Sequence, residues 1–386
     1  MQLSTHIKSA LPLRARVSNY ARPIVYCAVV VFASRLTLLV IGQLSQRFMG
    51  SPQGLASSDS LADMWRRFDA NWYLDIAGRG YRLSTDYFGS GDTNVAFFPL
   101  WPELLWLTSK LVSRNIAVLL LPNLLLLIGC IKLHELVRFR FDDKVANMVV
   151  VSACCFPGSF VFSAAMTESL FFLLAILSFR YLNSRRWLPA SVAVALLSIT
   201  RVNGLAAGCA FGVGWLRDRL LLGRTPTVLR ELLLILLIPM PLCAFMAFLF
   251  WRFGDAFAAF NAHRSFWSNK LVWPFENLFY IFYGNDLRAR LQSGLALVVV
   301  SIFLLEARSF TIEEISFVVL SLLLTTSFQN QALLSTTRYL LPLFPIHIAL
   351  ALASYRHNWA APVIPCLAIM NGFLMVFWSN GGTFLI

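Results

Sequence analysis

Acidic residues are scarce in this chain. Asp and Glu number 19 in 386 residues, and charged residues of all kinds make up 13%, against about 25% in a soluble domain. With 58% hydrophobic residues and a mean hydropathy of +0.69, an ordinary soluble enzyme is excluded. Cysteine is also sparse. All seven (Cys27, Cys130, Cys154, Cys155, Cys209, Cys243, Cys366) lie in apolar stretches and none has C-x-x-C spacing. A disulfide framework and a thiolate metal site are therefore not expected; small buried side chains are. Apolar and polar residues do not alternate along the segments, which argues against a β-barrel. No internal repeat is visible, which counts against an inverted-repeat carrier.

What the chain does contain is a series of apolar runs, many long enough to cross a bilayer, which takes about 20 residues. The expected fold is an all-α, polytopic transmembrane bundle of about 11 spans, within 9–12, forming one domain over residues 1–386. The net charge of +13 does not signal nucleic acid, because Lys and Arg cluster between apolar segments as topology signals do. Residues 1–22 carry Lys8, Arg14, Arg16 and Arg22 with no acid. The run 23–44 is longer than the roughly 7–15 residues of a signal-peptide core. It reads as a retained first span with a cytoplasmic N-terminus.

Positive-inside reasoning places residues 45–96 and 252–290 outside as two sizeable loops. The first holds six of the acids: Asp59, Asp63, Asp69, Asp75, Asp86 and Asp92. Segment 97–112 is either a short span or an interfacial helix. Segments 145–163 and 167–183 form a hairpin with Glu168 at its outer tip. Residues 188–216 read as two short helices meeting at Thr200-Arg201-Val202-Asn203-Gly204. Single spans are expected over 114–134, 231–251, 291–306, 311–328, 338–354 and 360–378. On this topology Asp69, Glu168, Arg201, His263 and Arg338 all fall at one membrane face and share a site. Arg35, inside the first span, has no evident role.

Treated as one helix, residues 61–79 put Leu61, Trp65, Phe68, Trp72 and Ile76 on one face, an amphipathic helix lying in the outer interface. Asp63 faces water, and Asp75 is placed to pair with Arg79 at i+4. Asp69 sits at the edge of the apolar stripe. Spacing leaves two readings open for it: a general base partly shielded from water, or an N-cap of a helix starting at Ala70.

The string Phe68-Asp69-Ala70-Asn71-Trp72-Tyr73, continuing through Ile76-Ala77 to Gly80-Tyr81, resembles the W-D-x-x-W-Y-x-x-I-A-x-x-G-Y signature of bacterial relatives of the PIG-V-type mannosyltransferases (related to GPI mannosyltransferase 2), within the GT-C class. Further segments resemble the same family in the same order. They are Ala96-Phe97-Phe98-Pro99-Leu100-Trp101-Pro102, Phe156-Pro157-Gly158-Ser159 to Phe171, Thr200 to Gly204, Gly254 to Trp267, and Arg338 to Pro345. Phe68 replaces the usual Trp, Val202 a common Pro or Ser, and His263 a frequent Gln.

The resemblance implies inverting transfer of a hexose, mannose above all, from a polyprenyl-phosphate donor to a hydroxyl of a glycolipid, glycan or protein, on the extracytoplasmic side of a bacterial cytoplasmic membrane. Asp69 would be the catalytic base. Arg201 and Arg338 would bind the donor phosphate, as guanidinium groups match phosphate oxygens, so that no metal or other cofactor is required. Trp72, Tyr73, Glu168, Asn203 and His263 would bind substrate. Each has an ordinary alternative: an interfacial belt for the aromatics, including Phe97, Phe98, Trp101 and Trp267; a solvated hairpin tip for Glu168; a turn residue for Asn203; a surface histidine for His263; snorkelling or anchoring for the arginines. The competing function is a transporter or flippase of a lipid-linked or anionic substrate, which would place its charges near the membrane midplane.

Overall fold

The computed structural model describes residues 13–49, 61–83, 93–222, 228–266, 272–327 and 335–382. Asp59, Asp86, Asp92 and Trp267, with parts of both external loops, lie outside the described residues. Among the described residues the chain is all helical, with no strand.

The order is α1 (Leu13–Met49), a single turn Asp63–Trp65, α2 (Asp69–Arg79), α3 (Leu100–Leu111), α4 (Arg114–Arg140), α5 (Asp143–Cys155), a single turn Ser159–Ser163, α6 (Glu168–Asn183), α7 (Trp187–Ser198) and α8 (Gly204–Leu222). It continues with α9 (Val228–Leu237), α10 (Met240–Phe253), α11 (Ala258–Phe266), α12 (Pro274–Leu278), a single turn Tyr280–Phe282, α13 (Leu287–Leu305), α14 (Ile312–Thr326), α15 (Thr336–Leu340), α16 (Phe344–Arg356) and α17 (Ala360–Ser379).

Four described helices are long and apolar enough to cross a bilayer: residues 21–49, 114–140, 287–305 and 360–379. A fifth span arises if α10 and α11, bent by 83°, are taken together. The remaining expected spans are shorter helices, several of them in broken pairs. Residues 231–251 break at Ile238–Pro239, and 338–354 break at Leu341–Leu343, where Pro239 and Pro342 each remove a backbone donor. Residues 188–216 divide around Arg201 as the sequence suggested. With 12 residues, α3 is about 18 Å long, too short to cross alone.

The membrane-facing side of α1 is apolar: Val25, Val29, Phe32, Leu36 and Val40 are exposed while Cys27, Val31 and Leu38 are buried. Such an inverted arrangement suits a helix whose solvent is lipid. Inside, Phe156, Phe160, Phe162, Phe171, Phe172, Phe179, Phe317 and Phe344 pack with Trp101 and Trp378 around α5, α6 and α16.

Two expectations change. Residues 61–79 are not one helix: Phe68 adopts φ 56° and ψ −128°, and α2 starts anew at Asp69. Trp65 and Ile76 bury in protein rather than in lipid. The segment is held as a plug, with Trp65 O accepting from Ala165 N (3.0 Å) and Met64 O accepting from the Trp378 indole (2.9 Å). Arg35 also acquires a role. Its guanidinium donates to Ser159 O (2.6 Å), Ser159 Oγ (2.9 Å) and Cys154 O (3.1 Å). It thereby satisfies a carbonyl in the last turn of α5, left without an intrahelical donor, and ties α1 to α5.

Replacing Arg35 with Leu removes three charge-assisted bonds, while Cys154 O keeps Ser159 Oγ and Ser159 Oγ keeps Asn371 as donors. We expect a loss of about 2–4 kcal/mol, as hydrogen bonds to a charged group contribute roughly 1.5–3 each, read as a lower thermal midpoint in detergent.

Candidate active site

Asp69 is the first residue of α2, and the break before it turns its side chain inward. It makes no cap; the N-cap is Phe68, without a side-chain cap bond. Instead Asp69 Oδ2 accepts from Arg338 Nη1 at 2.6 Å. Arg338 Nε donates to Glu168 Oε1 at 2.5 Å, and Arg201 Nη1 donates to the same oxygen. Residues from α2, α6, α15 and the α7–α8 turn thus meet in one chain of ion pairs. The convergence expected from topology holds for all four.

Each is placed for a local reason. Glu168 opens α6, where the helix dipole favours an anion, and is completely buried. The solvated-tip alternative is therefore overturned. Arg201 lies in a turn that demands glycine at its end: a Cβ on Gly204 would stand 2.2 Å from the Leu197 carbonyl oxygen. Its guanidinium lies over the Tyr339 ring, 4.7 Å from the centroid, so it is held and not snorkelling. Arg338 is fixed through its neighbour Thr337, whose backbone N donates to Gln292 Oε1 at 3.0 Å. Side-chain exposure falls from 25% at Asp69 and 11% at Arg201 to 3% at Arg338 and 0% at Glu168. Asp69 is the reachable carboxylate, and Glu168 the hidden one.

The other candidates surround this chain to differing degrees. Tyr73 is buried and meets Phe97 edge-on at 5.0 Å. Burial raises its hydroxyl above the usual range, with Arg201 opposing, so it stays protonated and can donate. Trp72, half-buried, stacks on Phe97 at 5.9 Å and 18°. His263 on α11 is hydrogen-bonded to the backbone of Ala96 and lies close enough to Asp69 and Arg201 to feel both; burial lowers its pKa, with Asp69 opposing. It belongs to the site rather than to a distant surface. Asn203 Nδ2 donates to Thr325 Oγ1 on α14 at 3.1 Å, a clamp across the turn. Phe97, Phe98 and Trp101 are buried within the protein and not in an interfacial belt.

Asp75 is excluded from this set. It pairs with Arg79 as the i+4 spacing indicated, and also accepts from Arg82 (2.7 Å) and Asn94 (2.8 Å). Partial burial would raise its pKa, yet the hydrogen bonds from Arg82, Asn94 and Arg79 outweigh it and hold the carboxyl below the usual range. Tyr339 had no signal in the sequence beyond lying in the motif that starts at Arg338, and Gln292, within the expected span 291–306, had none.

No protein-family model matches the sequence, and no curated protein does; the PIG-V-type resemblance rests on its ordered motifs. Among solved structures the chain is similar to the oligosaccharyltransferase of Archaeoglobus fulgidus. In its apo form the identity is 13% and the TM-score 0.45, covering 91% of this chain and 56% of that one. In its complex with zinc and sulfate the values are 13% and 0.43, with 90% and 53% covered. In its complex with an inhibitory peptide and a dolichol-phosphate they are 12% and 0.45, with 92% and 56% covered. This chain spans about half the length of those structures, and likeness at that level does not carry an activity across.

Replacing Glu168 with Gln keeps an acceptor oxygen but removes the negative charge that Arg201 and Arg338 share, and we expect a loss of about 3–5 kcal/mol, seen as a large drop in thermal midpoint. Asp69→Asn, at the exposed end, should change that midpoint far less. The Asp75 clasp should depend on pH in one direction. Its folded pKa is depressed, so its contribution is fully present above about pH 4, the unfolded value, and is lost as pH falls through the folded value. The midpoint difference between wild type and Asp75→Asn should therefore shrink only in acid.

Proposed function

We propose that this protein is a membrane-embedded, inverting glycosyltransferase of GT-C type. It transfers a hexose, mannose above all, from a polyprenyl-phosphate donor to an acceptor hydroxyl at the extracytoplasmic face of a bacterial cytoplasmic membrane. The observation that carries the reading is the accessible carboxylate of the ion-pair chain, Asp69, fixed by a buried arginine beside a second, partly exposed arginine.

In this mechanism Arg201, with 11% of its side chain exposed, takes the donor phosphate, a task for which the delocalised, permanently charged guanidinium is suited. Arg338, committed to Asp69 and Glu168, orients the base and adds positive potential rather than wrapping the phosphate. Asp69 accepts the proton of the acceptor hydroxyl as its oxygen bonds to sugar C1 and the C1–O bond to phosphate breaks. The phosphate leaves with the bonding electrons. Attack opposite the leaving group inverts C1 through an oxocarbenium-like transition state. Tyr73, kept protonated, and His263 are placed to hydrogen-bond sugar or acceptor hydroxyls. The acceptor is a glycolipid, a glycan or a protein.

The charges gather where helices begin and turn, round the start of α6, and the transferase reading uses them as one site. With purified protein and polyprenyl-phosphate mannose, Asp69→Asn is expected to lower kcat by roughly 10²–10⁴, the contribution of a general base. Arg201→Ala should chiefly raise the donor KM. Turnover undiminished in the asparagine variant would remove Asp69 from the mechanism.

A further inference from the structure

Helix α2 carries two polar side chains into the site. Asp69 and Tyr73 are four residues apart, one turn of helix, so their side chains stand next to each other on one face. Tyr73 is only 5% exposed. Among the described residues its hydroxyl makes no hydrogen bond to the protein. Tyr81 shows the ordinary outcome, for its hydroxyl donates to Phe97 O at 2.8 Å. Buried tyrosine hydroxyls find a partner as a rule. One left unpartnered inside an ion-pair chain is kept for a ligand.

The surroundings fix where that hydroxyl stands. Four charges act on it, Arg201 the most strongly, then Asp69, Glu168 and Arg338. Its ring meets Phe97 edge-on, with centroids 5.0 Å apart, which sets the direction of the phenol. His263 continues the same wall, bonded to the backbone of Ala96 and within reach of the charges of Asp69 and Arg201.

In the transfer, Arg201 holds the leaving phosphate and Asp69 the incoming hydroxyl, on opposite sides of sugar C1. A hydroxyl one helical turn from Asp69, and under the field of Arg201, stands beside that line at the level of C1. C1 has two neighbours in the sugar ring. One is the ring oxygen, which takes up positive charge in an oxocarbenium-like transition state and is a poor acceptor. The other is C2, whose hydroxyl suits a phenol that both donates and accepts.

We infer that Tyr73 reads the hydroxyl on C2 of the donor sugar, so that the donor class is a hexose with a free hydroxyl at that carbon. The C2 contact rests on the glycosyltransferase reading. A bond to this hydroxyl strengthens in the transition state, and Tyr73 thereby acts on rate as well as on recognition. A 2-deoxy sugar leaves the buried phenol unpaired, and a site built around a substrate hydroxyl rejects the analogue that lacks it.

The test crosses Tyr73→Phe with a 2-deoxy donor, using full-length protein in lipid nanodiscs and polyprenyl-phosphate mannose or its 2-deoxy analogue. Phenylalanine keeps the ring on Phe97 and removes only the unbonded hydroxyl, so the thermal midpoint should hold. Wild type is expected to favour the mannose donor roughly 10²-fold in kcat/KM. Tyr73→Phe should lower mannose transfer to the 2-deoxy level and leave the 2-deoxy donor unchanged. Equal loss with both donors, or a loss that follows a 3-deoxy analogue instead, overturns the assignment. A second arm measures binding alone, on Asp69→Asn protein with and without Tyr73→Phe. Affinity for bare polyprenyl phosphate should not move; a fall there means that the hydroxyl serves the phosphate, and the C2 contact is lost. No turnover of any polyprenyl-phosphate hexose by wild type sinks the transferase. A binding preference for the mannosyl over the 2-deoxy carrier, abolished by Tyr73→Phe, then leaves the C2 contact standing, and its absence removes that as well.

Discussion

One buried carboxylate organises the ion-pair chain at the start of α6. Glu168 is wholly enclosed, and a single oxygen receives both Arg201 and Arg338. An ionised acid in such a place persists only with partners, and these come from parts of the chain far apart in sequence. The helix pair α7–α8, the short helix α15 and, through Arg338, the start of α2 are all referred to that one oxygen. Two acids and two guanidinium groups balance each other, so the unliganded cluster is close to neutral. An anion arriving at Arg201 meets a cation already desolvated and aimed, which is the preorganisation that electrostatic catalysis needs.

The opposite end of the bundle repeats the pattern with different residues. Glu306, Glu313 and Glu314 are buried and meet Arg356, Arg217 and Arg140. There each acid has its own arginine, and the pairs tie α4, α8 and α16 to the α13–α14 hairpin. At the start of α6 two arginines share one acid and one of them reaches a second. The paired arrangement is a clamp. The shared arrangement gathers two enclosed guanidinium groups round one buried acid and leaves the carboxylate of Asp69 as its most exposed member.

Much of this was legible from composition and charge order. Apolar runs gave the all-helical membrane class, because bilayer thickness sets run length. Reasoning from the placement of basic residues grouped Asp69, Glu168, Arg201, His263 and Arg338, and four of them form one ion-pair chain with His263 beside it. What the sequence did not reveal were local breaks and pair identities. A period of 3.6 through residues 61–79 is compatible with one helix, and nothing in Phe68 announces a positive φ; tertiary contacts at Trp65 and Trp378 impose it. Glu168 looked equally suited to water or to an arginine, because burial is a property of neighbours and not of the residue. Arg35 was opaque for the same reason, its partners lying more than a hundred residues away.

Arg35 also has a consequence for how the chain is assembled. An arginine near the centre of a span costs roughly 2.5–3.5 kcal/mol on insertion scales. The carbonyls that take its protons belong to residues 154 and 159, which are synthesised long after α1. Until α5 and the turn behind it arrive, α1 is an unsatisfied guest in the bilayer, held by its apolar flanks alone. Helix α1 is made before α5 yet is secured only after it, once the α5–α6 hairpin, with Glu168 at its tip, is in place.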